Sequence, residues 1–265
     1  MKKLFPIGLL LLAALPSAGQ TVMSKTNVLA KTAVLAGVPS AVNWTLVQHA
    51  FNFACTGNCT VSTGTSGSGQ RALASTTAGN LLVVIFGINE VGGTLTITSP
   101  SVSGDTFTHC PTNWPQLFNF NGSNWNATDC WYRLSAAGGA TSIAYSGTFG
   151  GAGSLFSGIM VEEYNRGSGT ATFDAGAVLT NNACTSCTAP TVGMTGTKDV
   201  CVNFVAFNQL ITAISGSYTN PADFDTFSSL NAIAGALNVV SYSAPSWTSA
   251  SATNTGAAMG AVCFA

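Results

Sequence analysis

Charge is scarce in this 265-residue chain: eight Lys or Arg and nine Asp or Glu make up 6% of it, and there are only two histidines. Few cations exclude a nucleic-acid partner, because that affinity comes from neutralising phosphates with Lys and Arg. The scarcity of Glu, Lys, Arg and Gln argues against long surface helices, which are built from these residues. A Ser or Cys hydrolase needs an imidazole base, for which only His49 and His109 are available, and no Gly-x-Ser-x-Gly elbow accompanies them. His109 lies near Asp105 and next to Cys110, but neighbours on one short strand alternate faces, so His109 reads as a hydrogen-bonded structural residue. After the first nineteen residues, no run of about eighteen apolar residues offers a membrane helix.

Gly, Ser, Thr, Ala and Asn dominate instead, as expected of stacked sheets with small outward residues. Lys2 and Lys3, the apolar run Leu4 to Leu15 and the small residues Ser17 and Gly19 make residues 1–19 a secretory leader. Cleavage is expected after Gly19, with Ala18 as the neighbouring position, giving a secreted, extracellular or cell-surface protein. The leader takes Lys2 and Lys3 with it, leaving six basic against nine acidic residues, a net charge of about −3. Eight cysteines form an even set, the arithmetic of a disulfide framework in an exported chain. Spacing suggests Cys55 with Cys59, Cys110 with Cys130, Cys184 with Cys187 and Cys201 with Cys263, one of 105 connectivities.

The pattern along the chain is that of strands. Residues 20–43 are an N-terminal extension, and from Trp44 the sequence reads as a single domain to residue 265. The run Asn80-Leu-Leu-Val-Val-Ile-Phe-Gly-Ile, bounded by glycines, predicts a strand buried on both faces at the centre of the core. Thr94-Leu-Thr-Ile-Thr, turned by Gly104-Asp105 into Thr106-Phe-Thr-His, predicts a hairpin. Ser62 to Gln70 reads as a loop, and Asn220-Pro221 opens either one helical turn or a loop. Further strands are expected at 130–134, 141–145, 158–164, 170–179, 200–207, 211–218, 233–243 and 257–264. The expected fold is all-β: an antiparallel two-sheet β-sandwich, jelly-roll or Ig-like, stapled by disulfides.

The motifs Thr77-Ala-Gly-Asn-Leu-Leu-Val-Val, Ile97-Thr-Ser with Gly104-Asp-Thr-Phe-Thr, Cys130-Trp-Tyr, Gly138-Gly-Ala-Thr-Ser-Ile and Val161-Glu-Glu-Tyr resemble a secreted bacterial β-sandwich module over residues 44–264. The resemblance implies an exported or cell-surface protein of the kind found beside adhesive or carbohydrate-active domains. It brings no catalytic residue with it.

The sequence offers three kinds of candidate site. Paired carboxylates of a glycosidase stand about 5 to 9.5 Å apart; the candidates are Glu162, Glu163, Asp129 and Asp174, with Glu163 and Asp129 foremost. Glu162 and Glu163 are adjacent on a strand and face opposite ways. Cys184-Thr-Ser-Cys187 has the spacing of half a zinc site or a redox pair, but a turn-closing disulfide suits an exported chain better, and neither metal nor cofactor is expected. The segment 113–125, read as a loop anchored by Cys110 and Cys130, carries Trp114, Phe118, Phe120 and Trp125 among amides. Flat rings stack on sugars, so this loop is the candidate polysaccharide site, against the alternative of a cluster packed on the sandwich. Asn43, Asn58, Asn121 and Asn126 begin glycosylation sequons. The reading is an extracellular structural, adhesive or interaction module without evident catalysis, whose partners are polysaccharide, surface proteins or copies of itself. A carbohydrate-binding module using 113–125 and a glycan-active hydrolase are the alternatives.

Overall fold

Leu81 to Phe86, the most continuously apolar stretch, is at most 1% exposed along its whole length. A strand can bury both faces only if sheets or loops cover each side of it, and this requirement organises the molecule. A computed structural model describes residues 41–265 except 54–58, 62–65, 92–94, 103, 111–115, 120–123, 150–155, 183, 208–209, 216–222, 225–230 and 251–255. Strands dominate the described residues, with no helix among them, and residues Ser40–Ala265 gather into one compact unit.

Four antiparallel sheets make up this unit. The first runs β1 (Thr45–Phe53), β11 (Phe156–Asn165), β4 (Leu81–Val91), β9 (Asn124–Arg133), β7 (Thr108–His109), and β8 (Gln116–Asn119) also pairs with β9. The second runs β2 (Cys59–Val61), β3 (Ser66–Ala72), β10 (Ser142–Phe149), β5 (Leu95–Val102), β6 (Asp105–Thr106). The third runs β12 (Phe173–Asn182), β19 (Gly256–Phe264), β14 (Asp199–Phe207), β17 (Asn231–Val239), β16 (Asp223–Phe224). The fourth is short: β13 (Ser186–Thr188), β18 (Ser246–Ser249), β15 (Ile211–Ile214).

Alternation along β4 sends its residues into two different cores. Leu82, Val84 and Phe86 pack with Val102 of β5 and Ile143 of β10, joining the first and second sheets. Leu81, Val83 and Ile85 pack with Val200, Val202 and Phe204 of β14 and with Val262 and Phe264 of β19, joining the first and third. The opposite side of β14 gives Val205 and Phe207 to a cluster with Cys187 and Trp247 of the fourth sheet. The predicted centre of the core is therefore where the sequence placed it, with a second central strand, β14, opposite.

The two halves of the unit repeat one strand order. In the first sheet β1-β11-β4-β9 lie side by side, in the third β12-β19-β14-β17; in the second β3-β10-β5, in the fourth β13-β18-β15. The members of each set also follow one another in the same chain order. Leu82 opposes Glu163 as Cys201 opposes Cys263, and the edge strands β1 and β12 are each irregular just before the residue paired there, at Leu46/Gln48 and Phe173/Ala175, so Leu82 of β4 corresponds to Cys201 of β14.

Three expectations change. Four sheets stand among the described residues where two were expected, because the chain traces its strand order twice. Ser66–Ala72, read as most of a Gly/Ser/Thr loop, is strand β3, because its partner β10 supplies the pairing that its own small residues do not encode. At 220–227 no helical turn is found in the described part: Asp223–Phe224 pairs with β17.

Trp44 ties the start of β1 to the second half. The ring is buried, its Nε1 donates to Lys198 O at 3.0 Å, and its main chain exchanges two bonds with the Asn238 side chain, N to Oδ1 at 2.9 Å and Nδ2 to O at 3.2 Å. Asn238 sits at φ 56°, a left-handed conformation that Asn tolerates and most residues resist. Asn238→Ala loses both bonds and strains the backbone, whereas Asn238→Gly loses the bonds alone. The expected losses, read by urea denaturation, are about 2–3 kcal/mol for alanine and about 1–2 kcal/mol for glycine.

Candidate functional site

Glu163 is fully buried, yet its carboxylate is not idle. Oε1 accepts from Thr77 N at 2.8 Å and from Asn80 Nδ2 at 2.6 Å, and Oε2 accepts from Gln48 Nε2 at 2.5 Å. Asn165 Nδ2 in turn donates to Asn80 Oδ1 at 2.8 Å, which fixes the amide that faces Glu163. A buried carboxylate requires such donors, and here they come from β1 and the turn before β4. Glu162, on the opposite face as expected, is also buried and accepts a short hydrogen bond from the Tyr164 hydroxyl.

Asp129 is likewise buried and occupied. Its Oδ1 meets His109 Nε2 at 2.6 Å and accepts from Cys130 N at 2.9 Å, and its Oδ2 accepts from Trp131 Nε1 at 3.0 Å. The imidazole leans on Trp131 with ring centroids 4.4 Å apart. Asp105, the sequence neighbour of His109, turns elsewhere, accepting from Arg133 Nε at 3.0 Å and from Ala137 N at 2.8 Å. The reason lies in the topology: β6 pairs with β5 in the second sheet, and two residues later β7 pairs with β9 in the first.

The register also separates the two acids. Glu163 stands opposite Leu82, and Asp129 opposite Phe86, on strands flanking β4. Four residues along and two strand spacings across put their backbones about 16 Å apart.

The 113–125 segment is not a loop throughout. Gln116–Asn119 is strand β8, paired with β9 so that Phe118 aligns with Asn126 and Asn119 with Trp125. Strand β8 also contacts β12 and β19 of the third sheet. Trp114 and Phe120 lie outside the described residues. Asn126 is buried and its Nδ2 donates to Gly256 O at 3.1 Å, so this sequon has no room for a glycan in the folded chain.

Three of the four cysteine pairs stand at bonding distance: Cys110 with Cys130, Cys184 with Cys187, and Cys201 with Cys263, with Cα separations of 5.3, 5.4 and 4.1 Å. Cys201 and Cys263 face each other directly in the β14–β19 register. Cys55, and with it the fourth pair, lies outside the described residues. No group of three or more metal-ligating side chains occurs among the described residues.

One cluster escaped the sequence reading. Asp199 opens β14 fully buried, and neither carboxyl oxygen meets a donor. Its neighbour Asp174 accepts from Thr195 N at 2.6 Å, from the Thr195 hydroxyl and from Gly196 N at 3.2 Å. Burial, reinforced by the adjoining Asp174 carboxylate and opposed by Arg166, pushes the Asp199 carboxyl up to about 7. Burial also presses upward on Asp174, but its bonds from Thr195 and Gly196 prevail and hold it below the usual carboxylate range. Nothing local announces the pair, since the two aspartates are 25 positions apart in the sequence.

A pocket of about 240 Å³ opens beside Cys201, lined by Leu237, Val239, Val240, Ser241 and Tyr242. The Tyr242 hydroxyl is engaged below it, 2.5 Å from Asn203 Oδ1. No family model matches the chain, and comparison with curated proteins and with solved structures found no significant match.

Proposed function

We propose that the chain works outside the cytoplasm as a disulfide-stapled recognition and scaffolding module without catalysis of its own. The observation that carries this reading is the internal engagement of its best acid candidates: the Glu163 and Asp129 carboxylates each accept from three donors of the protein. A group so held is poorly placed to exchange protons with a substrate. The cross-linked cysteines support an oxidising compartment. The sheets are read as face-to-face sandwiches of jelly-roll type, a proposal supported by the order β1-β11-β4-β9 beside β3-β10-β5-β6, which is that of an eight-stranded jelly roll.

Association through strand edges is the mode of recognition this reading favours. Among the described residues β1 pairs only with β11, and β12 only with β19. These two corresponding edges carry Val47, 46% exposed, and Leu179, 39% exposed. An edge with unpaired backbone groups, little charge and an outward aliphatic is open to another strand. Light scattering on the intact protein is expected to show association rising with concentration, and Val47→Lys with Leu179→Lys to raise the dissociation constant at least tenfold. A monomer at every concentration, coupled with glycan-array binding that Trp114→Ala and Trp125→Ala abolish, would transfer the role to polysaccharide recognition. Turnover of a glycan lost in Glu163→Gln would make the protein a hydrolase.

A further inference from the structure

We infer that Asp199 and Asp174, both in the second half of the Ser40–Ala265 unit, form a proton-operated joint beside its tie to the first half, closed when they share a proton and loosened when they do not. The geometry comes first. Asp199 is buried at the mouth of the central strand β14 with two acceptor oxygens and no donor, and the Gly196 against which its Oδ1 lies donates its N–H to another acceptor, the Asp174 carboxylate. Two carboxylates attract each other only through a proton held between them. Asp174 cannot swing away, because Thr195 and Gly196 hold it by three bonds. Nor can Asp199 retreat: it lies so close to Gly196 that a Cβ there would collide with its Oδ1.

The charged surroundings are sparse. Arg166, in the link between the halves, is the one cation that acts on Asp199; its NH1 bonds Ser168 O and its buried Nε has no partner. Lys198 is adjacent in sequence but exposed. The strands flanking β14 bring Val239 and Phe264 to that end, neither of them ionisable.

The joint lies where the halves are tied. Lys198 O, one residue before Asp199, receives the Trp44 indole, and Arg166 O receives Asn43 N at 3.0 Å. Loss of the shared proton leaves two anions against one guanidinium, and the strain falls on residues 195–198 and so on the Trp44 anchor.

The sign follows from which state loses its proton first. In the unfolded chain Asp199 ionises near 4, in the folded protein near 7, so between these values the folded state alone holds the proton. The stabilisation is complete on the acid side and is lost as pH rises across the window, the unfolding constant increasing about tenfold per pH unit from this group.

Urea denaturation from pH 4 to 8 tests the joint, with Asp199→Asn as the variant whose amide stays neutral and can donate to Asp174. The difference between parent and variant cancels the contributions that the two proteins share. The expected result is a parent slope steeper by one proton. If Asp199→Asn does not fold, ¹³C-carboxyl NMR of the parent decides directly: Asp199 should titrate near 7 while Trp44 emission shifts in the same range. An Asp199 midpoint at the ordinary value near 4, or an unchanged slope in Asp199→Asn, overturns the inference.

Discussion

Replacing Cys201 and Cys263 together by alanine is expected to cost about 4 kcal/mol of folding stability. The pair closes a loop of 62 residues, and in the chain-entropy account a cross-link of that span removes roughly this much freedom from the unfolded chain. The same replacement at Cys110 and Cys130, separated by 20 residues, should cost about 3 kcal/mol. Both losses are large against the 5–15 kcal/mol that typically separates a native domain from its unfolded state. Urea denaturation of the two double variants, each keeping its other cysteines, measures the difference. Wild-type stability in both variants, with free thiols titrated in the native protein, would remove the support for an oxidising compartment.

Glu163→Ala is expected to lose about 3–5 kcal/mol, the range for breaking a buried charged network by deleting one partner. The deletion strands the Thr77 amide and the Asn80 and Gln48 side-chain donors, two of them facing one vacated oxygen position. Glu163→Gln preserves shape and one acceptor but turns its own NH₂ toward a donor, so an intermediate loss of about 2 kcal/mol is expected. Denaturation curves of both variants check this order. A Glu163→Ala protein as stable as the parent would show that the carboxylate does not hold β1, β11 and the turn before β4 together, and would reopen a chemical role.

What could be read from the sequence was what local residues decide. Leu81 to Phe86 announces a doubly covered strand because no polar residue interrupts it, and the late cysteines announce cross-links because their spacing fits turns and neighbouring strands. Strand β3 was hidden, since Ser and Gly have no preference for extended structure and the pairing with β10 imposes it. The polar network around Glu163 was hidden too. Gln48 lies 115 residues away from it, and Asn80 lies 83 away. The search for an acid beside His109 went to Asp105 for nearness in sequence, while the chain's change of sheet between β6 and β7 delivered Asp129. Phe118 and Trp125 belonged to a predicted loop, but β8 finds its strand partner in the first residues of β9.

The repeated strand order has a bearing on ancestry. A gene copied end to end leaves this signature: the same path traced twice, with few residues in common. Position 82 is leucine, while its counterpart at 201 is a cysteine bridged to residue 263. Separated, the halves would show Leu81, Val83 and Ile85 on one side, and Val200, Val202 and Phe204 on the other, to water. Each half covers the other's apolar side, so neither is expected to stay folded when it is expressed without the other.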